Sequence, residues 1–275
     1  MNSFITDRDD IFNYIKNNHF EGLCNLAKQF NDEDYDEVFL DYKKGMDSLI
    51  KLQDIWSKSL LNCNADYSVY ASKYYLIESF YCWKMYSRRY LQLLKKYKSN
   101  NSTLFENVNN VLDLGCGCAF STVALSSIFN ESHIYATNLK DTLQYFIDKQ
   151  VTSNFSDITI EDESQTFNFD SIDLIFASEF FEHLESPIEF IDKLINTYHP
   201  KIIIFANTFT QMAIGHFYEY SYEGNKYKGL DMSIKFNNFL RKAGYKKVNT
   251  GFFNSRPQIF MIDNTKTDKA TKKLF

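Results

Sequence analysis

Glycine and proline are scarce in this sequence, and long apolar runs are missing. The 275 residues include only 9 glycines and 3 prolines, and residues 1–110 contain no proline and only Gly22 and Gly45. No apolar stretch approaches the roughly 18 residues that a membrane-spanning helix needs. The first residues, MNSFITDRDDIF, have neither the basic flank nor the apolar core of a secretory signal. We therefore expect a cytoplasmic protein with no membrane partner.

An excess of basic residues is missing as well. The chain has 30 lysines and arginines against 35 aspartates and glutamates, for a net charge of -5. Proteins that bind polynucleotides normally carry a basic surface that displaces counterions. We therefore expect no nucleic-acid partner and a small-molecule substrate, and we leave a homodimer as an open alternative.

The cysteines do not follow the pattern of a metal site. An odd number of thiols, spread widely along a chain without a signal peptide, predicts reduced cysteines. Only one residue separates Cys116 from Cys118, which is not the spacing of a zinc knuckle, and no nearby His or Cys pair completes a ligand set. We predict that the chain uses no metal. The five cysteines are Cys24, Cys63, Cys82, Cys116 and Cys118.

The shortage of glycine and proline in the first part of the chain favours helices. We predict a helical N-terminal region over 1–105, with helices at 46–62 and 66–97. One face of the second helix is marked by four tyrosines and one isoleucine at steps of three and four. These residues are Tyr67, Tyr70, Tyr74, Ile77 and Tyr81.

Residues 106–275 alternate between short apolar runs and helical segments. Such alternation predicts parallel strands joined by crossover helices. The last two strands, 246–253 and 257–263, are separated by a short link and must therefore be antiparallel. We predict an α/β fold with a doubly wound, mostly parallel seven-stranded sheet and an antiparallel last strand. The other strands are predicted at Val111–Leu114, His133–Thr137, Ile158–Ile160, Ile172–Ala177 and Ile202–Ala206, the helices near 120–129, 140–149, 187–198 and 231–243, and an aromatic loop up to about 230.

A glycine-rich loop follows the first of these strands, in the segment VLDLGCGCA over residues 111–119. Glycines at a strand-to-helix junction let a ligand approach the backbone, and the N–H groups of the helix start can bind an anion. A dinucleotide fingerprint would have a third glycine where Phe120 stands, so NAD and FAD are disfavoured. No Gly-Lys-Ser/Thr follows, which excludes a phosphate loop.

The segment Asp113-Leu-Gly-Cys-Gly resembles the first motif of the class I S-adenosylmethionine (SAM)-dependent methyltransferases, with Ala119 in place of the family's third glycine. The resemblance covers about 106–263 and includes Phe181-Glu182-His183-Leu184, which is similar to the family's EHL signature. It implies SAM as cofactor and an enzyme of the small-molecule methyltransferase type. It also implies a ribose contact at Asn138, where the family has an acidic residue, and an adenine contact at Glu161 or Asp162. The cofactor-binding residues expected are Asp113, Gly115, Cys116, Gly117, Asn138, Leu139, Glu161, Asp162 and Ser178.

Three residues are candidates for catalysis, because an oxygen or amine nucleophile has to lose a proton to a nearby base. His183 and Glu179 follow the fourth strand, at the edge where open α/β sheets bind ligands. His216 lies in a loop after the fifth strand and overhangs the same edge. Of the two histidines, the sequence slightly favours His183 as the base, with His216 as a substrate contact.

The helical region 1–105 is interpreted as a cap or lid over a SAM-binding domain at 106–275. Phenol rings can hold a cationic amine by cation–π attraction, and an arginine can pair a phosphate or carboxylate. The expected substrate is a small polar metabolite (an amine phosphate, a sugar or a nucleotide sugar) methylated on N or O. A protein or peptide methyltransferase and a non-catalytic SAM-binding partner subunit remain alternatives. The expected substrate-binding residues are Tyr74, Tyr81, Arg88 and Tyr218.

Overall fold

The computed structural model describes residues 42–62, 64–72, 75–140, 142, 144, 148, 152, 155–162 and 169–263. The helix predicted near 140–149 lies largely outside these ranges, as do the first 41 residues of the predicted helical region. None of the helices found in the described ranges is long and apolar enough to cross a membrane.

The described residues form six α-helices and nine strands. The predicted strands are confirmed as β1 to β5, with ends that differ from the prediction by one or two residues at most. The helices are α1 (Tyr42–Leu61), α2 (Tyr75–Cys82), α3 (Arg88–Asn100), α4 (Phe120–Ile128), α5 (Pro187–Tyr198) and α6 (Gly229–Lys242). The strands are β1 (Asn110–Leu114), β2 (His133–Asn138), β3 (Ile158–Asp162), β4 (Leu174–Ser178), β5 (Ile202–Ala206), β6 (Glu219–Tyr222), β7 (Asn225–Lys228), β8 (Tyr245–Lys247) and β9 (Gln258–Ile262).

The long helix predicted over 66–97 is interrupted, which corrects the prediction. A separate 3-10 turn covers Tyr67–Ala71, because the Asp66 carboxylate accepts a hydrogen bond from the Ser68 N–H and Ser72 then adopts an extended conformation. Helix then runs from α2 into α3 through one π-helical turn at Trp83–Ser87. A π turn inserts one extra residue and rotates the side chains that follow it, and such turns are frequent at functional sites.

Seven strands form one sheet in the order β3–β2–β1–β4–β5–β9–β8. Strands β1 to β5 are parallel, and β9 is antiparallel to both of its neighbours. This arrangement confirms the predicted doubly wound sheet with an antiparallel last strand. The strand order reverses between β1 and β4, and ligands in open α/β sheets bind at the carboxyl ends of the strands at such a switch point.

Each face of the sheet is covered by helices. In β4, Ile175 and Ala177 belong to the core that contains α1, α5 and α6, and Leu174 and Phe176 belong to the core that contains α3 and α4. The alternation follows from the two-residue repeat of a strand. Trp56 of α1 is fully buried in the first core. The described part of the helical region therefore shares its hydrophobic cores with the sheet.

Two details of the C-terminal part differ from the prediction. The aromatic loop up to residue 230 contains the antiparallel hairpin β6–β7, whose turn residues Glu223 and Gly224 both have positive φ angles, as a tight hairpin turn requires. The strand predicted over 246–253 ends at Lys247, so the link to β9 is longer than expected. Tyr220 of β6 is fully buried, and its ring contacts those of Phe209 and Phe217 in the same segment.

Candidate functional site

A cavity of about 300 Å³ opens at the carboxyl ends of β1, β2 and β4. One wall is the loop between β1 and α4, and a second wall is formed by the residues that follow β2 and β4. The third wall comes from the helical region, between Tyr67 and Ser87, and the fourth from residues 211–216. The cavity therefore lies at the switch point of the sheet and has the helical region on its opposite side.

The glycine loop has three residues in the left-handed conformation: Gly115 (φ 62°), Gly117 (φ 59°) and Ala119 (φ 60°). A Cβ atom on Gly115 would collide with the Phe180 ring, so this glycine makes room for the residue that follows the end of β4. A Cβ atom on Gly117 would meet nothing within 4 Å. Gly117 is thus the position at which the backbone is open to a ligand in the cavity.

Asp113 lies beneath the loop rather than in the cavity wall. Its carboxylate accepts hydrogen bonds from Ser121 Oγ at 2.8 Å and Thr122 Oγ1 at 2.7 Å, and so joins β1 to the start of α4. Burial raises the pKa of this carboxyl to about 7, although the two hydroxyls partly oppose the shift. Asp113 therefore stabilises the conformation of the loop and does not itself line the cavity.

The side-chain amide of Asn138 supports the same loop from the end of β2. Its Nδ2 donates to the Gly117 carbonyl at 2.7 Å and to the buried Asp148 carboxylate, and its Oδ1 accepts from the Leu139 N–H at 3.0 Å. Both amide hydrogens are used within the protein, so a ribose hydroxyl could only donate to Oδ1. Asn138 and Leu139 both line the cavity. The ribose contact stays a prediction.

Of the two residues predicted to bind adenine, Glu161 does not line the cavity. Glu161 is exposed at the end of β3, and the side chain of Asp162 and residues 163–168 lie outside the described part of the chain. Cys116 does line the cavity, and its thiol donates to Asp148 at 3.4 Å. Burial raises the pKa of this thiol well above its usual range, so it stays protonated.

The end of β4 carries polar groups into the cavity. Ser178 Oγ lies 2.9 Å from Ser87 Oγ, which connects the π turn of the helical region to this strand. Glu179 adopts a left-handed conformation with φ 53°, which is strained for a residue with a side chain. Its Oε1 is buried and has no hydrogen-bond partner. Burial, followed by the nearby Glu182 carboxyl, raises the pKa of Glu179 well above its usual range, and Arg256 partly opposes this.

Two histidines meet at the far side of the cavity. The rings of His183 and His216 are nearly perpendicular, with centroids 4.7 Å apart. The Nδ1 of His183 lies 2.9 Å from the Tyr70 hydroxyl, and burial lowers the pKa of this imidazole well below its usual value. The Nδ1 of His216 lies 2.8 Å from the Gln211 carbonyl, which can only accept, so this nitrogen carries the hydrogen and Nε2 keeps a lone pair.

Neither of the two predicted substrate residues whose side chains are described lines the cavity. Tyr74 and the side chain of Tyr81 lie outside the described residues. Arg88 is exposed and does not line the cavity, and the Tyr218 hydroxyl donates instead to Ser57 Oγ at 2.6 Å. Among the described His, Cys, Asp and Glu residues, no group of three or more could hold a metal ion.

Sequence reasoning missed several residues of the cavity wall. Glu78, Trp83 and Ser87 carry no motif, and their position depends on the π turn and on how α2 packs over the sheet. Tyr70 belongs to the predicted tyrosine face, but its contact with His183 joins residues 113 positions apart and leaves no local signal.

The comparisons with known proteins agree with this geometry. Residues 112–204, which run from β1 into β5, match the family model of a methyltransferase domain. No curated protein sequence matches the chain. Three solved structures align with part of the chain at low sequence identity. The alignment with a SAM-dependent methyltransferase from Aquifex aeolicus has 15% identity and a TM-score of 0.38, and covers 60% of this chain and 86% of that one.

The other two structures are aligned over a smaller part of this chain. Precorrin-6y C5,15-methyltransferase from Geobacter metallireducens aligns at 16% identity and a TM-score of 0.36, over 55% of this chain and 71% of that one. A Galdieria sulphuraria protein named as a sarcosine dimethylglycine methyltransferase aligns at 17% identity and a TM-score of 0.37, over 43% of this chain and 44% of that one. The chain thus spans less than half of the Galdieria protein.

The sheet confirms the predicted fold class, and the family match agrees with the methyltransferase and the SAM cofactor predicted from the glycine motif. The match ends in β5, and the sheet beyond it continues with the antiparallel β9 that the resemblance implies. Residues 112–204 thus match a methyltransferase domain, and they lie in a sheet with the strand arrangement expected from the glycine motif.

Proposed function

We propose that this chain transfers the methyl group of SAM to a nitrogen or oxygen atom of a small polar molecule. The observation that carries the proposal is the position of the cavity, between the glycine loop on one side and the residues Tyr67–Ser87 on the other. A space closed on the side opposite the cofactor loop suits a small acceptor. A peptide that extends across the protein surface would need an open groove.

The chemistry of this transfer follows from the cofactor. The sulfonium of SAM carries the methyl group as an electrophile, and a nucleophile displaces it in line. The protein therefore mainly has to orient the two reactants and exclude water. In this proposal the backbone at Gly117 and the loop at Asn138 and Leu139 hold the cofactor, and the residues after β4 face the acceptor.

A base is needed when the acceptor arrives with a proton on the attacking atom. Both histidines line the cavity, but their hydrogen bonds differ. His183 Nδ1 is engaged by Tyr70, whereas the Nδ1–H of His216 is held by a carbonyl and its Nε2 lone pair is left available. An imidazole oriented in this way is suited to accept a proton. We therefore assign the base to His216 and a positioning role to His183, the reverse of the preference from the sequence.

We also propose that residues 67–87 act as the lid predicted from the sequence. They form one wall of the cavity and are joined to its opposite wall by the Ser87–Ser178 and Tyr70–His183 hydrogen bonds. A lid that contacts the end of β4 would exclude water from the methyl-transfer site, as loop closure does in other enzymes. The division of the chain into a cap at 1–105 and a domain at 106–275 remains part of this proposal.

The proposal is tested by measuring S-adenosylhomocysteine formation with three separate acceptor pools: small amines, small alcohols and sugars, and unstructured peptides. We expect turnover with at least one of the small-molecule pools and none with the peptides. Turnover with the peptides alone would instead support a protein methyltransferase. Binding of SAM by calorimetry without product from any pool would support a non-catalytic SAM-binding subunit.

A further inference from the structure

The cavity wall is acidic and aromatic. Glu78 and Glu179 line it, as does Glu185, whose carboxylate is already paired with Lys226 at 2.5 Å. None of its lining residues in the described part of the chain is a lysine or an arginine. The aromatic members lie mainly on the lid side, where they surround the same space. They include Tyr70, Tyr75, Trp83 and Tyr86. Carboxylates combined with aromatic faces attract cations and disfavour anions.

Glu179 has a carboxyl oxygen that no hydrogen bond within the described protein satisfies. Its Oε1 is buried at the cavity wall without a hydrogen-bond partner, and leaving such an atom unpaired destabilises a fold. Its backbone is also held at φ 53°. Strained residues persist at sites where the surroundings fix them for function. Both observations indicate that the Glu179 carboxyl is placed for a group that binds in the cavity.

The charged neighbours of Glu179 do not fully neutralise an ionised carboxylate at this position, so a further positive charge would be stabilised there. Glu182 is satisfied within the protein, because it accepts from the Thr208 N–H at 2.8 Å and from the Asn207 amide. Arg256 acts on Glu179 from the segment before β9, and its Nη1 donates to Thr208 Oγ1 at 2.8 Å. Burial, the charge of Glu182 and a hydrogen bond with Glu182 raise the pKa of Glu179, and the charge of Arg256 opposes them only in part. The titratable and charged groups that influence Glu179, or that it influences, are Glu78, Cys82, Tyr90, Glu182 and Arg256.

We propose that the methyl acceptor is an amine, which enters the cavity as an ammonium ion and binds to the Glu179 carboxylate beside the aromatic rings of the lid. This inference rests on the proposed methyl transfer and specifies its substrate class. It selects nitrogen over oxygen. It also selects an acceptor without a phosphate inside the cavity, since the described lining offers no lysine or arginine for that group.

The reaction then proceeds with a defined balance of protons and electrons. Binding of the ammonium releases the carboxyl proton of Glu179 to solvent and forms an ion pair. The ammonium gives one proton to Nε2 of His216, which exposes the nitrogen lone pair. The nitrogen attacks the methyl carbon as the carbon–sulfur bond breaks, and the sulfur keeps the electron pair. The product is a methylated ammonium ion, still paired with Glu179, beside neutral S-adenosylhomocysteine.

The ion pair also explains why a carboxylate at this position would help the transfer. Positive charge leaves the sulfur and develops on the acceptor nitrogen during the reaction. A fixed carboxylate next to that nitrogen stabilises the charge where it develops, which is the main electrostatic route to catalysis. A hydroxyl acceptor loses its proton and ends as a neutral ether, so it would gain nothing from Glu179.

The test measures binding of matched probes to the full-length protein saturated with S-adenosylhomocysteine. Each probe set has an amine, an alcohol and a carboxylate of the same shape, and binding is measured by calorimetry at neutral pH. One set is phenethylamine, 2-phenylethanol and phenylacetate, and the other is ethanolamine, ethylene glycol and glycolate. We expect each amine to bind roughly 10- to 100-fold more tightly than its alcohol or carboxylate partner, the range for a hydrogen bond to a charged group. Equal affinity within a set, preference for the alcohol or the acid, or no binding of either amine would overturn the inference.

Variants identify the residue responsible for the preference. Glu179→Gln keeps the size of the side chain and should reduce the amine preference by roughly 10-fold or more, with S-adenosylhomocysteine affinity unchanged. Glu106→Gln removes an exposed carboxylate that does not line the cavity, and it should keep the preference. A preference that survives in Glu179→Gln would overturn the assignment. If Glu179→Gln does not fold, Glu78→Gln gives the second measurement, because it removes another carboxyl from the same wall. It should keep most of the amine preference of the unmodified protein, and loss of the whole preference would overturn the assignment to Glu179.

Failure of this inference is distinguishable from failure of the proposed function. If the alcohol pool yields S-adenosylhomocysteine and the amine pool does not, methyl transfer stands and the ammonium site is wrong. If amines bind with the expected preference but no pool yields product, the ammonium site stands and the transfer is wrong.

Discussion

The hydroxyl of Tyr70 lies 2.9 Å from Nδ1 of His183, and this contact joins the helical region to the segment after β4. The same two groups enclose Gly215, where a Cβ atom would collide with both. Gly215 has a φ angle of 84° and therefore also needs the conformational freedom of glycine. The three residues come from three distant parts of the chain and close one end of the cavity.

Removing the Tyr70 hydroxyl should weaken the fold without disturbing the ring packing. Tyr70→Phe keeps the ring contacts with Trp56 and Tyr75. It removes the hydroxyl that is hydrogen-bonded to a buried nitrogen of His183. We expect the free energy of unfolding in urea to fall by about 1–3 kcal/mol. Tyr67→Phe, at a more exposed tyrosine of the same turn, should change it by less than about 0.5 kcal/mol. Equal effects of the two variants would contradict a specific role for this contact.

The lid should respond to the cofactor product. Residues from Tyr75 to Ser87 form a wall of the cavity, and Ser87 is hydrogen-bonded to Ser178. We expect S-adenosylhomocysteine to slow amide hydrogen exchange in this segment as well as in residues 113–118. Exchange in the hairpin β6–β7, which lies outside the cavity, should not change. If only the glycine loop is protected, the helical region packs on the domain as a structural layer and does not act as a lid.

Gly117 offers a test of cofactor binding with a matched control. Gly117 and Gly224 both have positive φ angles, and a Cβ atom on either would meet nothing within 4 Å. Valine at each position should therefore cost similar backbone strain, of about 1–2 kcal/mol. Only Gly117→Val should lose SAM affinity in calorimetry, by roughly ten-fold or more, because a branched side chain would enter the cavity. If folded Gly117→Val binds SAM as well as Gly224→Val does, the loop does not hold the cofactor.

The sequence predicts the part of the site that depends on local geometry. The strand ends and the glycine loop follow from apolar runs and breakers, and they place Gly117, Asn138, Glu179 and His183 at one edge. The interruption of the predicted helix at Ser72 and the π turn could not be predicted, because the aromatic spacing fits an uninterrupted helix equally well. The contacts of His183 and His216 depend on side chains brought together by the tertiary fold. For that reason the preference between the two histidines changes once the hydrogen bonds are known.

The buried carboxyl of Asp113 should make stability depend on pH. Its pKa is about 7 in the folded protein and 3.8 for an unperturbed aspartate, so the folded state holds a proton between these values that the unfolded state has lost. Stability contributed by this group is complete below pH 4 and is lost as the pH rises through 7. Asparagine keeps an acceptor for Ser121 and Thr122 but does not titrate. The stability of Asp113→Asn relative to the unmodified protein should thus rise by up to roughly 1.4 kcal/mol per pH unit between pH 5 and 7.

Asp173 supplies the control for this experiment. Hydrogen bonds from Lys201 and from the backbone of Asn109 and Asn110 lower the pKa of its carboxyl against the effect of burial. Its contribution to stability is therefore lost only as the pH falls below the usual range of an aspartate. Asp173→Asn should shift stability by a constant amount between pH 5 and 7. A flat profile for Asp113→Asn over the same range would show that Asp113 ionises normally in the fold.

The two histidines should differ in what their removal costs. His216 has its Nδ1–H held by the Gln211 carbonyl and presents Nε2 as an acceptor, so His216→Ala should lower kcat by about 10²–10⁴-fold, the usual contribution of a positioned base. SAM affinity should stay nearly unchanged, because His216 is separate from the glycine loop. His183→Ala removes the partner of Tyr70 and should mainly lower the free energy of unfolding, with a smaller loss of kcat. His133→Ala, whose ring contacts Thr159 outside the cavity, controls for the loss of an imidazole elsewhere in the sheet. A larger kcat loss in His183→Ala than in His216→Ala would restore His183 as the base, and near-normal turnover in both would leave proton removal to Glu179.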